Sequence, residues 1–304
     1  AFLQRSCLAL ALLLSINSGS IFAQDSTVAV PAKDTTETPV GKKSKPVKET
    51  FGSVWLMDNQ TVMVPIKGTL EMDIQHRFGT VENGKKDVFG LFAPSNIRIG
   101  MTYSPANKLY VGAGLTKERM QADFNAKYAL LQQTIDNKMP VSISYFGNMV
   151  IDARDKSFFR YAVHRFSYFN QLLIARKISE RLSLQVAPSF SWFNNIEGYV
   201  DSKGNIQNKM ENGHFAISTL GRFKVSEQSA ITLGYDQPLT QHPANNPHPN
   251  ISFGFETTTS AHAFQVFMGN YYGIVPQSNN VFNQNDYRNG QFVIGFNISR
   301  LWNF

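Results

Sequence analysis

The chain has 304 residues, 42% of them hydrophobic and 17% charged, with 24 Phe, 21 Gly, 13 Pro and a net charge of +7. That much apolar side chain argues against disorder and against a collagen-like repeat. The lone cysteine, Cys7, excludes a disulfide framework and a cysteine-based zinc site.

Taken in chain order, residues 1–23 read as a secretory signal. Arg5 precedes the apolar run Leu8–Leu14, and small and polar residues follow up to Ala23, after which cleavage is expected. Cleavage would remove the thiol. For an exported chain, the remaining positive balance suggests anionic membrane surfaces or anionic solutes before nucleic acid, or no specific partner at all. Residues 24–50 are rich in Thr, Lys and Pro and lack aromatics, so a disordered periplasmic leader is expected, with a basic cluster at Lys42, Lys43, Lys45 and Lys48. Residues 51–67 form a transitional segment, with Trp55, Leu56 and Val62–Val64 as anchors or a pre-barrel strand. The sequence leaves open whether this segment plugs a lumen.

From residue 68 the period is two. Leu70, Met72, Ile74 and Phe78 alternate with Glu71, Asp73, Gln75 and Arg77; Ile97, Ile99, Met101 and Tyr103 alternate with Arg98, Gly100 and Thr102. Such alternation marks strands with one apolar and one polar face. Twelve segments follow the pattern: 68–78, 95–104, 108–116, 121–133, 139–151, 162–177, 181–193, 213–225, 229–236, 250–257, 261–271 and 290–304. Many reach about ten residues, the length a tilted strand needs to cross a bilayer, and no apolar run of about 18 residues follows position 23. Connections after the even strands are short. Those after the odd strands are long and rich in Asn, Gly and Pro, except around 117–120. This segregation predicts an all-β fold: a single closed antiparallel up-and-down transmembrane barrel over 68–304, in an outer membrane, with both termini periplasmic. Arg300 falls on the lipid face near the periplasmic rim, where the cost is small; His76 and His164 fall on it at the opposite rim.

HRFG at 76–79, NIRIGMTYSP at 96–105, NAKYALLQQ at 125–133, QLLIARKISERLSLQVAPSF at 171–190 and GFNISR at 295–300 resemble an uncharacterised β-barrel family of Bacteroidota known as a domain of unknown function. The resemblance covers 51–304 and implies an outer-membrane barrel of a Gram-negative envelope. It implies no activity, so no functional residue is carried over. Its partners would be outer-membrane lipid, lipopolysaccharide and the barrel-assembly machinery. His262, Phe264 and Gln265 also look like a family motif, although Thr257–Ala261 stands where glycines are expected.

The polar face supplies the candidate residues: Glu71, Asp73, Arg77, Arg98, Asp123, Lys127, Arg165, Arg222, Lys224 and Glu256. Two arrangements fit them. Six basic against four acidic residues could ring a narrow passive pore favouring small polar or anionic solutes, or the charges could pair into a network that closes the lumen. In the second case the protein is a structural or binding barrel that works through its long loops. The repeated His-Arg-Phe at 76–78 and 164–166 is either a basic rim for lipopolysaccharide phosphates or a recurring girdle tripeptide. His242 and His248 share a Pro-rich loop but lack a third ligand nearby, so no metal or cofactor is expected. Ser189, Ser191 and Ser218 are the candidate nucleophiles. His214 and Ser218 share a face about 13 Å apart at roughly 3.3 Å per residue, too far for proton transfer, so the chain reads as no enzyme.

Overall fold

Alternating side chains can bury one face only if the strands close on themselves or pack against another layer, and these strands close. A computed structural model describes residues 44–304; the expected signal and residues 24–43 of the expected leader lie outside the described residues. The strands are β1 (Thr69–Thr80), β2 (Asn96–Ala106), β3 (Leu109–Thr116), β4 (Gln121–Leu131), β5 (Ser142–Asp152), β6 (Phe166–Lys177), β7 (Leu182–Phe193), β8 (Gly213–Lys224), β9 (Ser229–Pro238), β10 (Asn250–Thr258), β11 (His262–Gly269) and β12 (Val293–Asn303). Each pairs antiparallel with its chain neighbour, and β12 closes on β1 with Ile298 opposite Ile74. The closed ring leaves no unpaired edge, which is what hydrocarbon surroundings demand of a sheet.

All twelve expected strands are present. The sixth is shorter than expected, because Ala162–Arg165 forms a 3-10 turn closed by the His164 N–H donating to the Tyr161 carbonyl. His164 and Arg165 therefore leave the wall, where alternation alone had placed them. The outer face is apolar, with Leu115, Leu233 and Val266 all more than half exposed, while Gln75, Arg77 and Glu256 are fully buried within the ring. This is the reverse of a soluble sandwich and fits a wall solvated by lipid.

One end of the ring carries the short turns. The other carries the long loops 81–95, 153–165, 194–212, 239–249 and 270–292, and the last of these includes a helix, α1 (Pro276–Phe282). At the short-turn end, 132–141 is longer than expected, and residues 45–47 pair with it. Pro46 bridges Thr134, the Val47 N–H donates to the Gln133 carbonyl (2.7 Å), and the Ile135 N–H donates to the Lys45 carbonyl (3.0 Å). Residues 44–50 are thus seated on the barrel.

From Thr50 the chain turns into the ring. Trp55–Leu56 and Asn59–Gln60 form a two-rung hairpin, Leu56 opposite Asn59, with Met57 in the left-handed region (φ 58°) at its tip. Phe51, Val54, Trp55, Leu56, Met57 and Val62 pack against Tyr110, Phe146, Phe169 and Leu173 of the wall. The main hydrophobic core of this protein is therefore inside the barrel, between the wall and its own N-terminal segment. Residues 51–64 fill the lumen.

Candidate functional site

A two-rung hairpin leaves most of its backbone groups unpaired, and buried backbone groups must find partners. Wall side chains supply them. Gln265 of β11 acts as a substitute strand: its Oε1 accepts from the Met57 N–H (2.9 Å) and its Nε2 donates to the Trp55 carbonyl (2.7 Å). Gln185 of β7 does the same on the other limb, accepting from the Val62 N–H (2.9 Å) and donating to the Gln60 carbonyl (2.7 Å). The Met57 carbonyl receives Asn297 Nδ2 (2.6 Å) and Arg77 Nη2 (3.3 Å), the Thr61 carbonyl receives Lys127 Nζ (2.7 Å), and the Val62 carbonyl receives Ser144 Oγ (2.8 Å). Neither Gln185 nor Gln265 is among the charged candidates. A lumen-facing Gln reads alike in sequence whether it meets water or backbone.

The ten charged candidates divide into four groups. Arg77 and Lys127 hold the plug as described, each also over an aromatic ring, Phe267 at 4.5 Å and Tyr110 at 4.8 Å. Arg98 bridges Asp73 and Asp123, and Arg222 pairs with Glu256 (2.6 Å). Glu71 is buried on β1, and its Oε2 has no hydrogen-bond partner among the described residues. Two candidates lie outside the lumen proper. Lys224 ends β8 at the short-turn rim and pairs with Glu227 of the following turn (3.5 Å). Arg165 sits at the long-loop mouth, its Nη1 donating to the Asp152 and Arg154 carbonyls (2.9 and 2.7 Å).

The long-loop end closes the lumen a second time. Helix α1 turns its amides inward: Gln277 reaches Ser167 (3.3 Å), Asn280 reaches Asn250 (3.2 Å), and Asn279 donates to Asp58 at the plug tip (3.1 Å). Plug and helix meet at that Asp58–Asn279 contact.

His242 does meet another histidine, but it is His214, at the start of β8, rather than His248. The two rings stand edge to face, 4.6 Å apart, both are buried, and none of their four nitrogens has a hydrogen-bond partner among the described residues. No group of three metal-ligating side chains occurs among the described residues. Ser218 does not meet His214, whose neighbours are His242 and Phe193. Burial holds the His242 imidazole below its usual range, opposed by the charge of Glu211. The unfolded or opened loop therefore binds the extra proton first. The contribution of the neutral imidazole to the closed loop is fully present above the ordinary imidazole value of about 6.5 and is lost as pH falls through the lower folded value. Amide-exchange protection of residues 239–249 is expected to drop between pH 7.5 and 5, and to drop far less in His242→Phe; equal protection at both pH values would remove this role.

The sequence matches, over residues 51–302, the profile of a family described as "Membrane bound beta barrel domain (DUF5777)". The chain belongs to that family. It is a membrane-bound barrel whose lumen is occupied by its own N-terminal segment. Among solved structures it is similar to the NanC porin, at 8% identity and a TM-score of 0.47, covering 77% of this chain and 99% of that one. It is similar to the COG4313 outer membrane channel of Pseudomonas putida F1, at 13% identity and a TM-score of 0.48, covering 79% of this chain and 97% of that one. The KdgM porin follows at 9% identity and a TM-score of 0.43, covering 76% and 98%. These are likenesses of barrel architecture. No curated protein matches the sequence.

Proposed function

We propose that this protein is a gated outer-membrane pore, closed at rest by residues 51–64, and that small polar or anionic solutes pass when that segment leaves. In this reading the short turns and both barrel termini face the periplasm, lipopolysaccharide surrounds the long-loop rim, and the barrel-assembly machinery inserts the wall. One observation carries the proposal: the closing element is not part of the wall. The twelve-strand ring closes without it, and the wall holds its backbone through side-chain hydrogen bonds that water can replace at a net cost of about 1 kcal/mol each. Withdrawal of the hairpin also takes Asp58 from Asn279, and with it one support of α1. A second reading, a permanently closed structural or binding barrel, is favoured by the apolar contacts that Phe51, Trp55 and Leu56 make inside the ring.

Planar-bilayer recording separates the two, with insertion checked by heat-dependent gel mobility. The intact chain is expected to stay closed with infrequent openings. A variant with residues 51–64 replaced by an equally long Gly-Ser linker is expected to conduct steadily, and more so when Pro276–Phe282 is replaced in the same way. An inserted double variant that stays silent would establish the closed barrel instead.

A further inference from the structure

The long-loop mouth holds a cavity of about 270 Å³, bounded on one side by Phe282 at the end of α1 and separate from the hairpin 51–64. Arg119, Arg154 and Arg165 line it, with Asp152 and Glu197 as its carboxylates. Arg119 comes from the connection at 117–120 and the other two from the loop 153–165, and each guanidinium lies over a ring: Arg119 over Phe282 at 4.7 Å, Arg154 over Phe158 at 4.7 Å and Arg165 over Phe159 at 4.6 Å. Stacking orients a guanidinium while leaving its in-plane N–H donors free for a carboxylate or phosphate.

Their charges are not equally spent. Arg154 is committed to Asp152, Nη2 to Oδ2 at 2.7 Å and Nε to Oδ1 at 3.0 Å. Arg165 gives one nitrogen, Nη1, to two main-chain carbonyls, which orient it but do not neutralise it. Arg119 forms no ion pair and no side-chain hydrogen bond among the described residues, although Glu118 beside it adds a neighbouring negative field. Its backbone is also held in the left-handed region (φ 54°), as is that of Met120 (φ 49°). That conformation costs a non-glycine residue about 1–2 kcal/mol, and in it Arg119 lines the cavity. Strain of this kind concentrates where a ligand is held. Phe159, Phe166, Phe193 and Phe282 supply apolar wall beside the charges.

We infer that this cavity binds a small soluble anion, a carboxylate or phosphate carried on an apolar or aromatic body. Arg119 and Arg165 take the anionic oxygens, and the rings take the body. None of residues 51–64 lines the cavity, so binding does not depend on release of the hairpin; a hairpin that never leaves does not remove the site, and an empty site does not remove the gating.

Calorimetric titration of the full chain in detergent at low ionic strength tests it, with phenyl phosphate as probe. Saturable binding is expected, weaker with inorganic phosphate and absent with phenol, and weakening as salt screens the charges. Arg119→Gln, which breaks no ion pair or side-chain hydrogen bond among the described residues and gives up only the stack on Phe282, is expected to weaken binding at least tenfold. Arg165→Gln should weaken it as well, Glu197→Gln should tighten it, and Arg160→Gln on the same loop should leave it unchanged. No saturable heat, or unaltered affinity in Arg119→Gln, overturns the site. Displacement of phenyl phosphate by added lipopolysaccharide overturns the soluble-anion assignment in favour of a lipid phosphate.

Discussion

Trp55→Ala is expected to release the plug about a hundredfold to a thousandfold more often than in the unaltered chain. Trp55 is buried at 6% exposure, meets Phe146 edge to face at 6.3 Å, and lies beneath the Arg98 guanidinium at 5.4 Å. Truncating such a side chain costs about 3–5 kcal/mol in a packed interior. The whole of that cost falls on the seated state, because in the withdrawn state position 55 meets water whatever its side chain. With about 1.4 kcal/mol per tenfold change, the seating equilibrium shifts by two to three orders of magnitude while the strand ring keeps its own contacts. The chain's only cysteine, Cys7, is easily changed to Ser, so a Met57→Cys reporter at the hairpin tip reads the opening directly. Met57 is fully buried when seated, and a polar maleimide reaches position 57 only after withdrawal. A labelling rate that changes less than threefold on adding Trp55→Ala would mean that the backbone hydrogen bonds from Gln185, Gln265 and Lys127 hold the segment without help from its apolar anchors.

The wall was legible in the sequence because period two is a local signal. Glu71, Asp73, Gln75 and Arg77 announce one face of β1 from four consecutive alternations, and neighbouring strands repeat the pattern. Legibility failed where local pattern and local structure part. Phe166 continues the alternation of 162–165, yet the chain there is a 3-10 turn, so Arg165 moves from the expected lumen to the mouth. The plug was illegible for a different reason. Phe51, Val54, Trp55, Leu56 and Met57 follow no single period, since the hairpin is packed on all sides, and its partners Gln185 and Gln265 lie more than a hundred residues away in the chain. The histidine pair failed similarly: His248 is the neighbour of His242 in sequence, and His214 is its neighbour in space. Arg119, in the short turn Glu118–Met120 between β3 and β4 and with no alternation to place it, had no signal in the sequence at all.

Arg98 shows what the lumen charges do when the barrel is closed. Asp73, Gly100, Gly114 and Asp123 stand side by side in one row across β1, β2, β3 and β4. A Cβ on either glycine would collide with the Arg98 guanidinium, so the two glycines make the trough in which it lies. From there Nη1 reaches Asp73 (2.7 Å), and Nε and Nη2 reach Asp123 (both 2.9 Å). One positive charge thus sits between two buried negative ones, and the cluster cannot act as an anion-attracting ring while it is intact. Arg98→Met leaves both carboxylates buried without a counter-charge, which is expected to cost about 3–5 kcal/mol. Adding Asp73→Asn and Asp123→Asn removes the stranded charges and is expected to recover most of that loss, because replacing a whole buried ionic group is far less costly than breaking it. Urea unfolding of the refolded barrels measures both. If the triple variant is as unstable as Arg98→Met, the role of Arg98 is to fill the glycine trough, and charge pairing across β1–β4 contributes little.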